Sequence, residues 1–285
     1  MPRQQPQERP QERLQERPQG RAGAITDRAY WDGVWAGAGT FRPIDPAAPG
    51  PRNYVNRALH AFFTRTIREN PPPGPHFIEI GCGASRWLAY FHQQFGFAVS
   101  GLDYSAEGCA SAQRLLTTLT VPGEVFRADM FDPPEALIGR FDILWSNGLV
   151  EHFADTATAC EACATFLRPG GLMITLVPNM TGPLGRLQKC FNPALYAKHV
   201  PLDKAMLARA HAQAGLTILS CDYALPAHLG VLHLGRIERL LGARPAQALK
   251  IALTLPIRLG LALLRRGPNQ ITSPYLICVA RKPAA

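Results

Sequence analysis

Three places in this 285-residue chain carry residue types at spacings that could do chemistry. The first is the run Phe77-Ile78-Glu79-Ile80-Gly81-Cys82-Gly83, in which a short apolar stretch meets an acid and then two glycines one residue apart. Such a turn lets backbone approach a ligand closely. Two common ligands fail on the residues present. A dinucleotide turn needs a third glycine where Arg86 stands, and a phosphate loop needs a lysine that never follows. Glu79 also puts negative charge where a diphosphate would have to bind. Asp103, twenty residues beyond Gly83, offers a second carboxylate that can accept from a pair of hydroxyls. The second place is Glu151-His152, an acid and an imidazole suited to moving a proton. The third is Cys160 and Cys163, a lone C-x-x-C with no second ligand pair, which reads as a helix face touching the core and not as a zinc site.

S-adenosylmethionine (SAM) meets what the glycine turn asks for. It has no phosphates, and its ammonium and sulfonium are favoured by a nearby carboxylate. From here several successive stretches resemble the motifs of the class I SAM-dependent methyltransferases. "FIEIGCGAS" resembles the first motif, "GLDYS" the second with Asp103 at its strand end, "RADMFD" the third, "GRFDILWSNGLVEHF" the fourth, and "LRPGGLMITLVPN" the turn and strand that follow. Singly each has a plainer reading: Gly83 as only a turn, Asp103 as only a cap for the helix opening at "SAEGCA". Those readings explain single residues but not the motifs in order.

The resemblance covers residues 75 to 180 well, and reaches 216–223 and 274–281 by pattern only, as the family's closing antiparallel pair. It implies SAM as cofactor, held by Glu79, Gly81, Cys82, Gly83, Asp103, Tyr104, Asp129, Met130 and Asn147, with Trp31 from a lid. Within that set Asp129 would accept from the adenine amino group, Met130 would offer its backbone, and Asn147 would line the methionine end.

Methyl transfer is an in-line displacement at an already activated carbon, so the protein positions the acceptor and, when needed, removes its proton. His152 is the expected base, with Glu151 beside it; the plainer reading is that Glu-His caps a loop. His199, in "YAKHVPLDKAML", occupies a place where the resemblance implies a histidine entering the acceptor pocket, and stands as a second base or a helix-start contact. Relatives with E-x-x-E-H here hold a metal, but this chain has Gly148 at the first carboxylate position, so no metal is expected. "DPP" at 132–134 lies before the fourth strand. It is therefore not the signature of DNA amino-methyltransferases, and the place after that strand reads "SNGL".

The elements that must position these residues follow from pattern. Strands are expected near 76–80, 97–102, 124–128, 141–146, 171–177, 216–223 and 274–281, and helices near 84–95, 105–118, 155–167 and 202–214. Their alternation predicts an α/β, Rossmann-like fold: a seven-stranded, mostly parallel sheet with helices on both faces, an N-terminal helical lid and a C-terminal helical insertion before the last strand. The glycine turn then leaves the first strand at the topological switch point. The expected organisation is a disordered tail at 1–24, a lid segment at 25–72, the SAM-binding core at 73–228, a basic amphipathic insertion at 229–270 and the last strand at 271–285. In the tail "PQERPQERLQERP" repeats proline at a spacing that blocks helix and has almost nothing apolar to bury. Tyr30, Trp31 and Trp35 form an aromatic cluster before the sheet; the resemblance implies a segment folded over the SAM pocket as a lid that excludes water, and the plainer reading is that these rings pack the outer helix.

The formal net charge is +9, and from Leu229 onward nine cations face one anion, Glu238. Only one aromatic, Tyr275, accompanies them, which argues against nucleic acid as partner. The insertion is expected to hold two amphipathic helices. Its apolar run at 251–264 is interrupted by Pro256 and Arg258, too short and too broken to span a bilayer. It could pack as core or as a homodimer contact, cover an apolar acceptor, or make a peripheral membrane contact through 229–266. Seven scattered cysteines, an odd number, suit a cytoplasmic protein with reduced thiols. The expected activity is methyl transfer to a small, hydrophobic metabolite at O, N or C, of the kind met in secondary metabolite biosynthesis. The alternatives are a protein or lipid methyltransferase docking through the basic helices, and a non-catalytic SAM-binding partner subunit.

Overall fold

The computed structural model describes residues 22–37, 42–233, 240 and 242–284. The expected tail falls almost wholly outside these residues, as does 234–239 of the insertion. Seven strands form one sheet: β1 (His76–Ile80), β2 (Ala98–Asp103), β3 (Gly123–Arg127), β4 (Phe141–Asn147), β5 (Leu167–Pro178), β6 (Thr217–Ala224) and β7 (Tyr275–Arg281). Their order is β3-β2-β1-β4-β5-β7-β6. Every neighbouring pair along β3-β2-β1-β4-β5 is parallel, and β7 runs antiparallel between β5 and β6. This is the expected fold, and it puts the carboxyl ends of β1, β2, β4 and β5 along one edge.

The central strands are apolar at nearly every position because both faces are covered. Side chains of alternate parity go to opposite faces. Ile78, Ile80, Leu102 and Leu144 join one core with α5 (Thr156–Thr165) and α8 (Lys204–Gln213). Phe77, Val99, Ile143 and Trp145 join the other with α2 (Tyr54–Glu69) and α3 (Trp87–Phe95). Cys160 and Cys163 of α5 are fully buried in the first core. The remaining helices are α1 (Arg28–Ala36), α4 (Ala106–Thr118), α6 (Pro183–Phe191), α7 (Pro193–Tyr196) and α9 (Ala243–Leu263).

Local chemistry starts and stops these helices. Ser105 caps α4 by accepting from the Gly108 N–H at 3.1 Å, and Asp27, Asp155 and Asp203 cap α1, α5 and α8 in the same way. Gly96, at φ +72°, closes α3 in the left-handed region. α2 ends at Glu69, just before Pro71.

Two features differ from expectation. α6 and α7 arise in a stretch where no element was read, because Pro183 and Pro193 each sit at a helix start, where a missing N–H costs nothing. Of the two helices expected in the insertion, the first falls largely on residues outside the described ones, and the second is one long helix. That helix, α9, runs for 21 residues straight across Pro256. By length and composition it is therefore sufficient to cross a membrane, although little of it is buried.

The second core closes around Phe63 of α2, which is fully buried with ring centroids 4.9 Å from Phe91 and 5.1 Å from Trp145. Phe63→Ala should cost about 3–5 kcal/mol of folding free energy by leaving a cavity between α2 and the sheet. Urea unfolding of the variant against the parent checks this.

Candidate functional site

The glycine turn is held over the end of β2 by backbone bonds. The N–H groups of Gly81 and Cys82 donate to the Leu102 carbonyl at 2.8 and 3.2 Å. The Gly83 N–H donates to Asp103 Oδ2 at 2.7 Å, and the Ser105 N–H to Asp103 Oδ1 at 2.8 Å. One carboxylate thus ties the turn to the start of α4, and each of its oxygens keeps lone pairs for a ligand. Gly81 and Gly83 both have positive φ, +71° and +43°. A Cβ on Gly83 would lie 2.3 Å from the Trp35 ring, so this position needs glycine for two independent reasons.

Glu79 is buried one residue before the end of β1, and Ser85 Oγ donates to its Oε2 at 2.5 Å while accepting from the Trp87 N–H. Burial pushes the Glu79 carboxyl well above its usual range, and the neighbouring Asp103 adds to the rise. Asp103 is also raised, by burial and secondarily by Asp32, against the lowering effect of its backbone bonds. Two acids buried side by side favour a cationic ligand between or beside them.

α1 lies over this turn. Trp31 and Trp35 stack at 5.9 Å, the Trp31 Nε1–H donates to Thr26 Oγ1 at 2.9 Å, and Ser105 Oγ donates to Asp32 Oδ1 at 2.5 Å. The segment before α1 is fastened to the loop after β4: the Ile25 N–H donates to the His152 carbonyl, and the Ala154 N–H to the Gly23 carbonyl. The aromatic cluster expected as a lid is therefore anchored to the residues expected to do the proton chemistry.

Those residues meet. The His152 ring lies 5.0 Å from Trp31 and 4.6 Å from His199. His152 Nδ1 is 2.7 Å from the Lys198 carbonyl and His199 Nδ1 is 2.8 Å from the Leu195 carbonyl. A carbonyl only accepts, so each Nδ1 carries the proton and each Nε2 keeps a bare lone pair. Burial lowers His152 to about 4 and lowers His199 as well, which keeps both rings neutral at pH 7. Glu151 is fully buried without a well-formed hydrogen bond on either carboxylate oxygen, and burial pushes it up to about 8. The ligand atoms of Glu151, His152 and His199 lie within 4.8 Å of one another, an arrangement that could hold a metal ion. The absence of a carboxylate at Gly148 therefore does not leave the place without ligands.

A cavity of about 490 Å³, a size usual for small-molecule sites, joins these groups. Of the expected residues Glu79, Gly81, Cys82, Asp103, Tyr104, Asn147, Glu151, His152, His199 and Trp31 line it; Gly83 sits beneath Trp35, itself a lining residue. Asp129 and Met130 are not brought to it. Asp129 is exposed and accepts from the Phe131 N–H at 2.9 Å, and Met130 is packed in the first core. Sequence reasoning did not reach Ser85, Arg86, Leu195, Val231, His233 and Tyr275, which also line the cavity. Ser85 follows Gly83 closely enough to have been picked out. His233 and Tyr275 arrive by long-range packing that no local pattern carries.

SAM fits these residues. Buried acids at the ends of β1 and β2 answer its positive charges, acceptors answer its hydroxyls, and tryptophan faces answer its flat base. Arg86, the one guanidinium at the lining, donates to the Arg42 carbonyl at 3.2 Å.

Comparison with known proteins agrees with this geometry. Residues 78–175 match the family described as methyltransferase domain. The ubiquinone biosynthesis O-methyltransferase of Dinoroseobacter shibae is 31% identical over 141 residues, 49% of this chain and 56% of that protein. The enzyme of the same name from a Chelativorans strain is 32% identical over 148 residues, 52% of this chain and 58% of that one. The chain thus spans a little over half the length of the curated relatives it matches. Among solved structures, a geranyl diphosphate methyltransferase in complex with GPP and sinefungin has a TM-score of 0.59 at 17% identity, covering 90% of this chain and 98% of that one. The geranyl diphosphate C-methyltransferase of Streptomyces coelicolor, solved with Mg2+, geranyl diphosphate and S-adenosyl-L-homocysteine, has a TM-score of 0.57 at 17% identity and covers 90% and 96%. At that identity the likeness shows the fold.

Gly83→Ala should weaken S-adenosylhomocysteine binding by about tenfold or more while leaving the far-UV spectrum unchanged. A methyl group there meets both an unfavourable φ and the Trp35 ring. A calorimetric titration of the folded variant reads it.

Proposed function

We propose that this chain, whose core is a class I SAM-dependent methyltransferase domain, transfers the methyl group of SAM to a small, hydrophobic metabolite. The observation that carries the reading is the single cavity that joins two unlike linings. Glu79, Asp103, Tyr104 and Asn147 stand at the ends of β1, β2 and β4, while Leu149, Leu176, Pro178, Met180, Leu195 and Val231 supply an apolar remainder. SAM, when bound, supplies an electrophilic methyl on a sulfonium. Asp103 would accept from the ribose hydroxyls, Asn147 would hold the methionine end, and Glu79 would favour the positive charge. Trp31 and Trp35 would exclude water from the transfer.

His152 stands in the neutral form with a bare Nε2, ready to take the acceptor's proton at that atom as the acceptor attacks. The Lys198 carbonyl fixes its tautomer. His199 supplies a second bare imidazole nitrogen beside it. One specific observation supports a variant: a divalent cation on Glu151, His152 and His199 would bind an acceptor oxygen and lower its pKa, replacing the base. The domain boundaries at 25–72, 73–228 and 229–270 are part of the same proposal. So is a cytoplasmic site of action, which accords with the seven free cysteines. The acceptor side leaves 229–266 to bring the protein to a membrane surface or to a second copy of itself.

The test is transfer of labelled methyl from SAM to a panel holding a ubiquinone-type hydroxyl and geranyl diphosphate, the acceptor kinds suggested by the relatives' names. Label in a small apolar acceptor supports the reading. Label only in protein or phospholipid, or none in any acceptor while SAM still binds, contradicts it. His152→Gln should lower the rate by about 100- to 10,000-fold. In the parent the acid limb of kcat/KM should fall near pH 4, the level to which burial takes His152, and not near 6.5. Manganese binding by calorimetry that is lost in Glu151→Ala would favour the cation over the base.

A further inference from the structure

α9 is built inside out. Its buried positions are Ala246, Lys250 and Thr254, spaced by four, so the stripe turned to the protein body is small or polar. Lys250 Nζ donates to the Leu232 carbonyl, and Thr254 Oγ1 accepts from the Leu229 N–H at 3.3 Å. One turn further on, the Arg258 guanidinium lies 3.4 Å from the centre of the Tyr54 ring on α2. The outward positions are the apolar ones. Leu253 and Leu255 are half exposed, Leu259 is 60% exposed and Leu263 76%. A helix facing water has the opposite order, so what faces this helix is not water.

Charge decides what faces it. Arg244 at one end and Arg265 and Arg266 at the other are exposed, and no acid follows Glu238 in the sequence. A symmetric contact with a second copy would set these arginines near their own images with no acid between them. An anionic bilayer matches both features, taking the leucines among its acyl chains and the arginines at its phosphates. The bonds from Lys250, Thr254 and Arg258 hold the helix along the protein body, so it would lie in the membrane surface and not cross it.

We propose that α9 docks the protein on an anionic membrane surface through Leu253, Leu255, Leu259 and Leu263. The segment tied to α9 carries Gly230, Val231 and His233, which line the cavity, and the His233 N–H donates to Gln188 Oε1 of α6 at 2.8 Å. Docking therefore brings one wall of the cavity to the bilayer. An apolar acceptor drawn from that bilayer follows, and this last step alone rests on the methyl-transfer reading.

Flotation of the full chain tests the docking. The vesicles are phosphatidylcholine alone or with phosphatidylglycerol, at low and high salt. The double variant L259E/L263E alters only exposed positions, and S-adenosylhomocysteine titration of it reports whether the site is intact. Expected is flotation with the phosphatidylglycerol vesicles that weakens in high salt, and a drop of about tenfold or more in the variant. R265E/R266E should lose the anionic preference. No flotation of the parent, or equal flotation of L259E/L263E, overturns the proposal. So does a solution dimer that L259E/L263E dissolves while vesicles bind neither form. Flotation involves no turnover, so its failure is distinct from a failure of the methyl-transfer reading.

Discussion

A carboxylate taken out of water must be answered, and in this protein Asp103 is answered by the glycine turn itself. Its two oxygens accept from Gly83, in the turn after β1, and from Ser105, just after β2. Those bonds fix the turn, and they pin the start of α4, where Ser105 in turn reaches Asp32 on the lid. Four elements thus depend on one side chain. The cost of its burial is only partly offset, since Asp103 remains raised and Glu79 beside it is raised further. Residual unfavourable burial of negative charge is what gives a cationic ligand its advantage at this place.

The other end of the cavity follows the same logic with the sign reversed. Neutral imidazoles are easy to bury, and the backbone carbonyls of Lys198 and Leu195 hold His152 and His199 with their basic nitrogens unprotonated. Glu151 is raised by its burial and contributes a proton or an anion according to what binds. The loop that carries Glu151 and His152 is also the one to which the lid's first residues are bonded. The segment leading into α1 and the loop that carries Glu151 and His152 are therefore held in place together.

Much of this was legible in the sequence because it is local. Strand, acid and glycine follow one another in "FIEIGCG", and β1, β2 and β4 lie within a residue or two of where apolar runs put them. The pairing of Glu151 with His152 is adjacency; their meeting with His199 depends on a loop 46 residues away from His152 and was only suggested by resemblance. Proline at 256 was expected to break the apolar run, and no element was expected at Pro183 or Pro193. Pro183 and Pro193 open helices, and Pro256 lies inside one, because a proline's missing N–H is harmless at a helix start and tolerable where other contacts hold the turn. The cavity wall from Gly230 to His233 had no local signal. It is placed by polar side chains of α9 that periodicity alone would have turned outward.

The basic surplus toward the carboxyl end and the site toward the centre are thus parts of one arrangement, joined through the strap at 229–233. The claim on which the arrangement rests is that the acid-lined crevice holds SAM. Calorimetric titration with S-adenosylhomocysteine, with NAD as control, addresses that claim directly. The account predicts binding of one S-adenosylhomocysteine per chain and no heat from NAD. Binding of NAD with comparable affinity, or of neither ligand, would contradict it.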